Sequence, residues 1–253
     1  MGREVCRAVV EDPESVLVAA VDTNGSGENI GALIGHPELK LEISEELDAL
    51  TDAEVDVAVD FTHPDAVMDD IRWCVRHAIH IVVGTTGLTQ ADLDEIRALI
   101  EEEGSESNVF VAPNFAIGAV LMMRFSAAAS RWLPSVEIIE LHHDKKADAP
   151  SGTAIKTAEE IAKARPEGGE APPSKEVAPG ARGGEVAGIH VHSVRLPGLV
   201  AHQEVILGGP GQSLTIRHDS YDRASFMPGV LLAVKEITKH PGLTYGLENL
   251  LEI

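Results

Sequence analysis

Hydrophobic and polar residues come in alternating blocks along the first half of the chain. Four short apolar runs, rich in Val, Ile and Ala, are separated by amphipathic stretches, and they cover 15–22, 55–62, 79–87 and 108–115. Such nearly continuous apolar character is typical of strands that are buried on both faces, as in a parallel sheet. We therefore predict these runs as strands of an open α/β sheet with right-handed crossovers.

The amphipathic stretches between the runs predict helices over 3–11, 64–78 and 89–103. Pro64 suits the first turn of the second helix, and Thr89 suits the N-cap of the third. Each apolar run ends in small or polar residues. Because ligands of open α/β sheets bind beyond the carboxyl ends of the strands, we expect a ligand site at this edge.

The second half of the chain has a different pattern. After a predicted helix over 116–133, apolar and polar residues alternate in four segments, 136–143, 188–196, 199–207 and 212–220. This predicts a second, α+β domain with an open mixed sheet, a helix over about 152–165, a long Gly/Pro loop and a final helix over 225–240. We place the first domain at 1–113 together with 224–253, and the second domain at 114–223.

Composition narrows the classes of protein. The 253 residues include 41 acidic and 20 basic ones, for a net charge of −21, so the surface repels phosphate backbones and a nucleic-acid partner is not expected. No run approaches the roughly 18 apolar residues of a membrane span. Cys6 and Cys74 lack the spacing of a zinc or disulfide framework, which favours reduced thiols and a cytoplasmic protein.

The segment "ELHHDKKADAPSGT" (140–153) gathers imidazoles and ammonium groups just before a predicted helix. Ser151 is placed to cap that helix, and Gly152 and Thr153 would present backbone N–H groups at its start. With the helix dipole behind them, these donors form an anion site, and the cations just upstream could serve the same ligand. The alternative is a solvated polar turn with an ordinary N-cap. No metal site is predicted here.

This segment closely resembles the signature of the 4-hydroxy-tetrahydrodipicolinate reductase family. "DFTHPDAV", "VVGTTG", "APNFAIGAVLM" and "GLVAHQEV" resemble the same family and occur in the same order, over essentially the whole chain. The resemblance implies a Rossmann-type dinucleotide-binding domain and a second domain for substrate binding and oligomerisation. It also implies reduction of 4-hydroxy-tetrahydrodipicolinate to tetrahydrodipicolinate by NADH or NADPH, in lysine biosynthesis through diaminopimelate, by a homotetramer.

On the substrate side, the resemblance assigns roles to five residues. His142 matches the family's proton donor and acceptor, and Lys146 matches its catalytic lysine. His143 would contact a substrate carboxylate, which Gly152 and Thr153 would bind through their backbone amides. The chemistry agrees, because a dicarboxylate needs cations and N–H donors, and because hydride addition is accompanied by proton transfer.

On the cofactor side, the resemblance points to the carboxyl ends of the predicted strands. Phe61 matches the family's residue that lines the adenosine end of the cofactor. Two loops match those that run along the nicotinamide and its ribose: Gly84, Thr85 and Thr86, then Ala112, Pro113, Asn114 and Phe115. Asp22 ends an apolar run, where a carboxylate commonly holds the ribose hydroxyls; a turn-capping Asp is the alternative. The Thr62 hydroxyl, at the end of a predicted strand, is expected only to hydrogen-bond with the local backbone.

The charge around Asp22 predicts cofactor preference. No Lys or Arg occurs between Thr23 and Leu39, whereas Glu28 does, so a 2′-phosphate would meet no cation in this stretch. We therefore predict a preference for NADH over NADPH.

The start of the chain carries an expectation of its own. Met1-Gly2-Arg3 resembles the end of the family's glycine-rich turn, and Asp22 follows Gly2 by about 20 positions, as expected. We thus expect the first strand and most of the turn to be missing, either because the start was assigned inside the reading frame or because the chain is a truncated remnant. Such a remnant would only bind dicarboxylates or act as a scaffold.

Two further alternatives remain. Another Rossmann oxidoreductase, such as a semialdehyde or sugar dehydrogenase, would share the architecture but lack the 140–153 block. His190 and His192 share one face of a predicted strand, the usual geometry of a two-His metal site, although without a nearby third ligand a sheet-face or substrate-contacting role is favoured.

Overall fold

The computed structural model describes residues 1–165 and 175–251. Its chain divides into two compact units, Met1–Phe115 with the chain from Phe226 onward, and Ala116–Ser225. The α-helices are α1 Gly2–Glu11, α2 Ile30–Ile34, α3 Asp48–Asp52, α4 Val67–Arg76, α5 Gln90–Glu103, α6 Ile117–Ser130, α7 Gly152–Ala164 and α8 Met227–Glu236. The strands are β1 Val57–Asp60, β2 His80–Val83, β3 Val109–Val111, β4 Ser135–His142, β5 Gly184–Val186, β6 Ile189–Arg195, β7 Ala201–Gly209, β8 Gln212–Ser220 and β9 Leu243–Tyr245.

The first unit is built on a parallel sheet with strand order β1-β2-β3-β9. β2 and β3 are buried, as their apolar runs predict, whereas β1 is mostly half-buried. The sheet forms one core with the inner faces of α4 and α5. Ile71, Val75 and Ile96 from these helices are 0–1 % exposed. The Rossmann-type α/β fold predicted from the sequence is confirmed for this unit.

The predicted N-terminus of α5 is confirmed, whereas α4 begins later in the sequence than predicted. Thr89 caps α5 as predicted, within a capping box that it shares with Asp92. The helix predicted over 64–78 begins only at Val67 and ends at Arg76. Ala66 and Val67 both donate to the His63 carbonyl, so a tight turn occupies the positions where we expected the first helical residues.

The strand predicted over 15–22 was wrong. This stretch makes only an isolated parallel bridge, between Val21 and Ser44, and Val16 is 79 % exposed. A run of apolar residues becomes a strand only where a neighbour supplies a ladder of backbone partners. Here the only ladder-like contacts within the described residues are those of Ala20 and Asp22 with Ser44. Helices α2 and α3 and strand β9 were not predicted from the sequence.

The second unit contains a mixed five-stranded sheet with the order β5-β6-β4-β7-β8. β4 pairs in parallel with β6, and the other pairs are antiparallel. Helix α7 packs on β4 and β6; its Ala154, Ala158 and Ile161 and the sheet's Ile138 and Ile189 are all fully buried. The open mixed sheet predicted from the alternating segments is confirmed.

The long loop predicted after α7 is partly a strand. β5 lies within it and pairs with β6; residues 166–174 of the predicted loop lie outside the described residues. The helix predicted over 225–240 is α-helical only along α8, with 3₁₀ turns over Arg223–Phe226 and Ile237–Lys239.

Among the described residues, none of the helices has the length and apolar character required to cross a membrane.

Candidate active site

The substrate side of the candidate site begins at the end of β4. Side chains two positions apart on a strand lie on one face, so Glu140 and His142 are neighbours. His142 Nδ1 hydrogen-bonds to Glu140 Oε2. His142 is the last residue of β4 and its side chain is 15 % exposed, whereas Glu140 is fully buried. The strand therefore holds a buried carboxylate directly behind a partly accessible imidazole.

The Glu140 carboxylate is matched by Arg195 at the end of β6. Arg195 Nη1 donates to Glu140 Oε2 and Nη2 donates to Oε1, each over 2.9 Å. Burial disfavours the charged form of Glu140. Hydrogen bonds from Arg195, Ser193 and His142 outweigh it, so the pKa of this carboxyl lies below its ordinary value. Glu140 is thus an anion at neutral pH.

His142 is held as a neutral imidazole. Burial lowers its pKa, and the positive charges of Lys146 and Arg195 lower it further, although Glu140 acts in the opposite direction. A carboxylate only accepts hydrogen bonds, so the proton of the neutral ring is assigned to Nδ1, and Nε2 carries the lone pair.

The loop after β4 carries Lys146 and His143. Lys146 Nζ lies 2.9 Å from both carboxylate oxygens of Asp148, and this ammonium lowers the pKa of the Asp148 carboxyl. The side chain of Lys146 is 22 % exposed. His143 is exposed, and its backbone N–H donates to the Val200 carbonyl over 3.4 Å. An ammonium and two imidazoles thus share one short segment.

Helix α7 begins at the end of this loop, as predicted. The Ser151 side chain accepts from the Ala154 N–H over 3.2 Å, so Ser151 is the N-cap. Gly152 is exposed, Thr153 is half-buried, and both lie in the first helical turn, whose N–H groups have no intrahelical acceptor. Together with the helix dipole, these donors suit a carboxylate. The second unit therefore brings His142, His143, Lys146, Gly152 and Thr153 into one continuous stretch.

The first unit aligns the predicted cofactor loops at one edge of its sheet. Asp60, Val83 and Val111 are register partners across β1, β2 and β3. Phe61, Gly84 and Ala112, which follow them, therefore leave the sheet at the same level. This is the carboxyl edge at which open α/β sheets bind nucleotides.

Aromatic packing shapes this edge. The rings of Phe61 and Phe115 are 5.8 Å apart, and Phe115 is buried. A Cβ atom on Gly84 would lie 2.1 Å from the Phe61 ring, so only glycine allows this approach. Of the other predicted residues, Ala112 is buried, Asn114 half-buried, and Thr86 and Pro113 exposed. The edge thus combines an aromatic pair, a close-packed glycine and exposed loop positions, a set that fits a dinucleotide.

Thr85 is tied to a buried carboxylate beneath the loops. Its hydroxyl donates to Asp60 Oδ1 over 2.6 Å, and the Thr62 hydroxyl donates to Asp60 Oδ2 over 2.8 Å. Thr62 therefore serves a neighbouring side chain and not only local backbone. Burial and the adjacent Asp60 carboxylate raise the pKa of Asp70 to about 6.

Asp22 lies exposed at the end of the Val21 bridge. Its carboxylate accepts from the Asn24 backbone N–H over 2.8 Å, as in an Asx turn. This contact matches the turn-capping alternative and leaves acceptor capacity for a ribose hydroxyl.

Two other histidines of the second sheet pair with carboxylates, whereas the buried Nδ1 of His190 has no hydrogen-bond partner among the described residues. His192 Nε2 lies 2.8 Å from Glu137 Oε2, and His202 Nδ1 lies 2.7 Å from Asp219 Oδ1. Within the described residues, no group of three or more metal-ligating side chains comes together.

Three residues of the site, Glu140, Arg195 and Asp60, were not predicted from the sequence. The first could have been found, because an acid two positions before His142 on a predicted strand must share its face. Arg195 could not, since its position depends on the register between β4 and β6, where it is the partner of His142.

Comparisons with known proteins give a consistent result. The family model "Dihydrodipicolinate reductase, N-terminus" matches residues 1–115, and the model for the C-terminus of the same family matches residues 118–251. The 4-hydroxy-tetrahydrodipicolinate reductase of Syntrophomonas wolfei is 50 % identical over 99 % of this chain and 94 % of its own. The 4-hydroxy-tetrahydrodipicolinate reductase of Desulfitobacterium hafniense is 48 % identical over 100 % of this chain and 95 % of its own.

One solved structure adds a ligand. The dipicolinate-bound dihydrodipicolinate reductase of Paenisporosarcina sp. TG-14 aligns with a TM-score of 0.86 and 43 % identity, over 99 % of this chain and 95 % of that one. These findings give no support to the alternative of a cofactor-impaired remnant.

Proposed function

The chain belongs to the dihydrodipicolinate reductase family, and we propose that it reduces 4-hydroxy-tetrahydrodipicolinate to tetrahydrodipicolinate with NADH or NADPH. It is an oxidoreductase of lysine biosynthesis through diaminopimelate. The observation that carries the assignment of site residues is the β4–α7 segment, in which an imidazole, an ammonium group and a capped helix start follow one another within a dozen residues or so.

Substrate binding is assigned to the start of α7 and to His143. The N–H groups of Gly152 and Thr153 bind one carboxylate of the substrate, and the exposed His143 ring lies upstream in the same segment. The family relative from Paenisporosarcina binds dipicolinate, which is also a pyridine-type dicarboxylate. A small diacid therefore suits this site better than the substrate of a sugar dehydrogenase.

The chemistry requires an acid and a base. Replacing a hydroxyl group by hydrogen consumes one hydride and one proton and releases water. The Lys146 ammonium donates the proton that allows the hydroxyl to leave as water. Neutral His142 takes a proton through Nε2 from the carbon next to the hydroxyl-bearing one, and returns it once hydride has been added.

Cofactor binding is assigned to the carboxyl edge of the first sheet. When bound, a reduced nicotinamide supplies the hydride. The loops at Gly84–Thr86 and Ala112–Phe115 orient its ring and ribose, Phe61 lines the adenosine end, and Asp22 accepts from the ribose hydroxyls. Accordingly, we assign Met1–Phe115 and the chain from Phe226 to dinucleotide binding, and Ala116–Ser225 to substrate binding and oligomerisation.

The test of the catalytic assignment compares adjacent lysines. K146A and H142N should each lower kcat by about 10² to 10⁴-fold, the usual contribution of general acid–base catalysis. K145A, which changes the exposed neighbour, should stay close to wild type. Calorimetry with dipicolinate should show that all three variants still bind a diacid. Wild-type turnover in K146A would overturn the assignment.

The cofactor preference is a separate proposal. We expect a higher kcat/KM with NADH than with NADPH, because Glu28 and the absence of Lys or Arg between Thr23 and Leu39 disfavour a 2′-phosphate. T23R should raise kcat/KM for NADPH more than for NADH. Equal or better use of NADPH by the wild-type protein would contradict the proposal.

We also propose a homotetramer in the cytoplasm. Apolar side chains of the second unit, Phe125, Trp132 and Leu214, are between 41 and 85 % exposed, which suits a surface that other copies cover. Sedimentation equilibrium on the purified protein decides the assembly, with a monomer as the contrary result, and cell fractionation decides the compartment.

A further inference from the structure

One arginine is bonded to the surroundings of both proposed catalytic residues. Besides its two bonds to Glu140, Arg195 donates from Nε to the Lys146 carbonyl over 3.2 Å and from Nη2 to the Asp148 carbonyl. A further bond from Nη1 reaches the Val194 carbonyl over 2.8 Å. Each of the three guanidinium nitrogens therefore has a defined acceptor.

The first arm, as we call each chain of contacts that starts at Arg195, runs through Glu140 to His142. Glu140 is anchored by two parallel bonds from Arg195, which is the geometry that fixes a carboxylate in orientation as well as in place. The same carboxylate receives His142 Nδ1. Orientation of Glu140 therefore decides the tautomer and the ring plane of His142, and with them the direction of Nε2.

The second arm ends on Lys146. Arg195 holds the backbone carbonyls on either side of Ala147, and Asp148 in turn holds the Lys146 ammonium through two contacts of 2.9 Å. The loop between β4 and α7 is thus fastened to the end of β6 at the point where the catalytic lysine projects. The parallel register, with His142 opposite Arg195, makes both arms short.

We propose that the Arg195–Glu140 ion pair is a positioning device that sets the His142 tautomer and the place of Lys146 together. The proposal rests on the catalytic roles assigned above. Neither residue is proposed to touch substrate or cofactor. Loss of the pair would affect the chemical step, because proton transfer depends on the alignment of donor and acceptor.

Arginine is required at this position and lysine does not replace it. The guanidinium has five donors in a planar fork, whereas an ammonium has three and no bidentate geometry. R195K keeps the positive charge beside Glu140 but cannot hold the carboxylate and both loop carbonyls at once. This variant therefore separates positioning from simple charge compensation.

The chain offers a matched control on the same strand. Glu137 of β4 accepts from Arg182 and from His192, and so repeats the carboxylate–arginine–histidine set on the opposite face of the sheet. We call these residues the Glu137 cluster, and Glu140, His142 and Arg195 the Glu140 cluster. R182K and E137Q change the same chemistry away from the proposed catalytic residues.

The experiment measures kcat, the KM for substrate and the KM for NADH in R195K, R195A, E140Q and the two controls. R195K and R195A should lower kcat by about 10²-fold, with the KM for NADH within about threefold of wild type. Added guanidinium ion should restore at least tenfold of the lost kcat in R195A, about 1.4 kcal/mol in barrier. The controls should stay within about threefold of wild type.

The pH profile supplies a readout that a general loss of stability does not move. Glu140 raises the pKa of His142, while burial and the charges of Lys146 and Arg195 lower it. In E140Q the acid limb of kcat/KM should therefore move to lower pH. Circular dichroism identifies variants that fail to fold, and if R195A is one of them, R195K and E140Q decide.

Several results would overturn the proposal: equal losses in R195K and R182K, a loss confined to the KM for NADH, no response of R195A to guanidinium, or an unmoved acid limb in E140Q. The proposed function fails differently, through wild-type turnover in K146A or H142N. If those two are inactive while R195K resembles R182K, only the positioning role is wrong.

Discussion

The Glu137 and Glu140 clusters differ mainly in burial, although both place a carboxylate between an arginine and a histidine. The Glu140 side chain is 0 % exposed and that of Glu137 is 34 % exposed. Arg195 uses Nε for the Lys146 carbonyl, whereas Arg182 Nε is buried without a partner among the described residues. The same residue types thus form a saturated, loop-bearing network on one face and a looser one on the other.

This difference shows which of the two arrangements can fix geometry. Both carboxyl groups have lowered pKa values: burial opposes ionisation in each, and the arginine and histidine hydrogen bonds outweigh it. The pKa direction alone therefore does not separate the clusters. Burial and the number of satisfied donors do, since they decide how much freedom the carboxylate retains.

The largest expected effect is on stability. E140A should lower the free energy of unfolding by about 3–5 kcal/mol, because it leaves the largely buried Arg195 guanidinium, which is 18 % exposed, without its carboxylate partner. E137A should cost about 0–1 kcal/mol, as expected for a partly exposed pair. Denaturant titration of both variants measures the difference. If E140A cannot be purified folded, E140Q and E137Q are compared instead. Equal losses of stability in the Glu137 and Glu140 variants would show that the two clusters are energetically alike.

A third carboxyl group, that of Asp70, shows what happens without an arginine partner. Asp70 is half-buried and lies beside the Asp60 carboxylate instead of a cation. The pKa of Asp70 is raised from an ordinary 3.8 to about 6. The folded state therefore binds this proton more tightly, and the stabilisation is present below about pH 4 and lost as pH rises through about 6.

D70N removes that loss. The variant should be more stable than wild type at pH 8 by about 1 kcal/mol, a value discounted for the exposure of Asp70. The gain should disappear near pH 4, and thermal unfolding across this range gives the slope. A variant that is less stable than wild type at pH 8 would mean that Asp70 is held by an attraction instead of a repulsion.

The smallest expected effect is that of salt on the Glu137 cluster. Between about 0.05 M and about 0.5 M NaCl, the cost of E137Q should shrink by a few tenths of a kcal/mol, because exposed charges are screened. The cost of E140Q should change less, since the Glu140 side chain is fully buried and its Arg195 partner is only 18 % exposed. Melting curves at the two concentrations test this, and a larger salt response for E140Q would reverse the ranking.

Much of the fold could be predicted from local pattern. The apolar runs gave β1, β2 and β3, the alternating segments gave β4, β6, β7 and β8, and the caps Thr89 and Ser151 were correct because a hydroxyl at an N-cap bonds within its own turn. The run at 15–22 failed for the opposite reason. Its residues suit a strand, but a strand also needs a neighbour, and sequence pattern does not report one.

The candidate site shows the same distinction between local pattern and long-range pairing. The sequence by itself determined the chemical groups and their order: two imidazoles, an ammonium group and a helix start, placed within 14 residues by local structure alone. Only the tertiary structure decided what holds them. Arg195 is more than fifty positions from Glu140 in sequence and meets it because β4 and β6 pair in one register. A short-range signal can name a catalytic group, whereas its burial and its partners depend on strands that meet only when the sheet has formed.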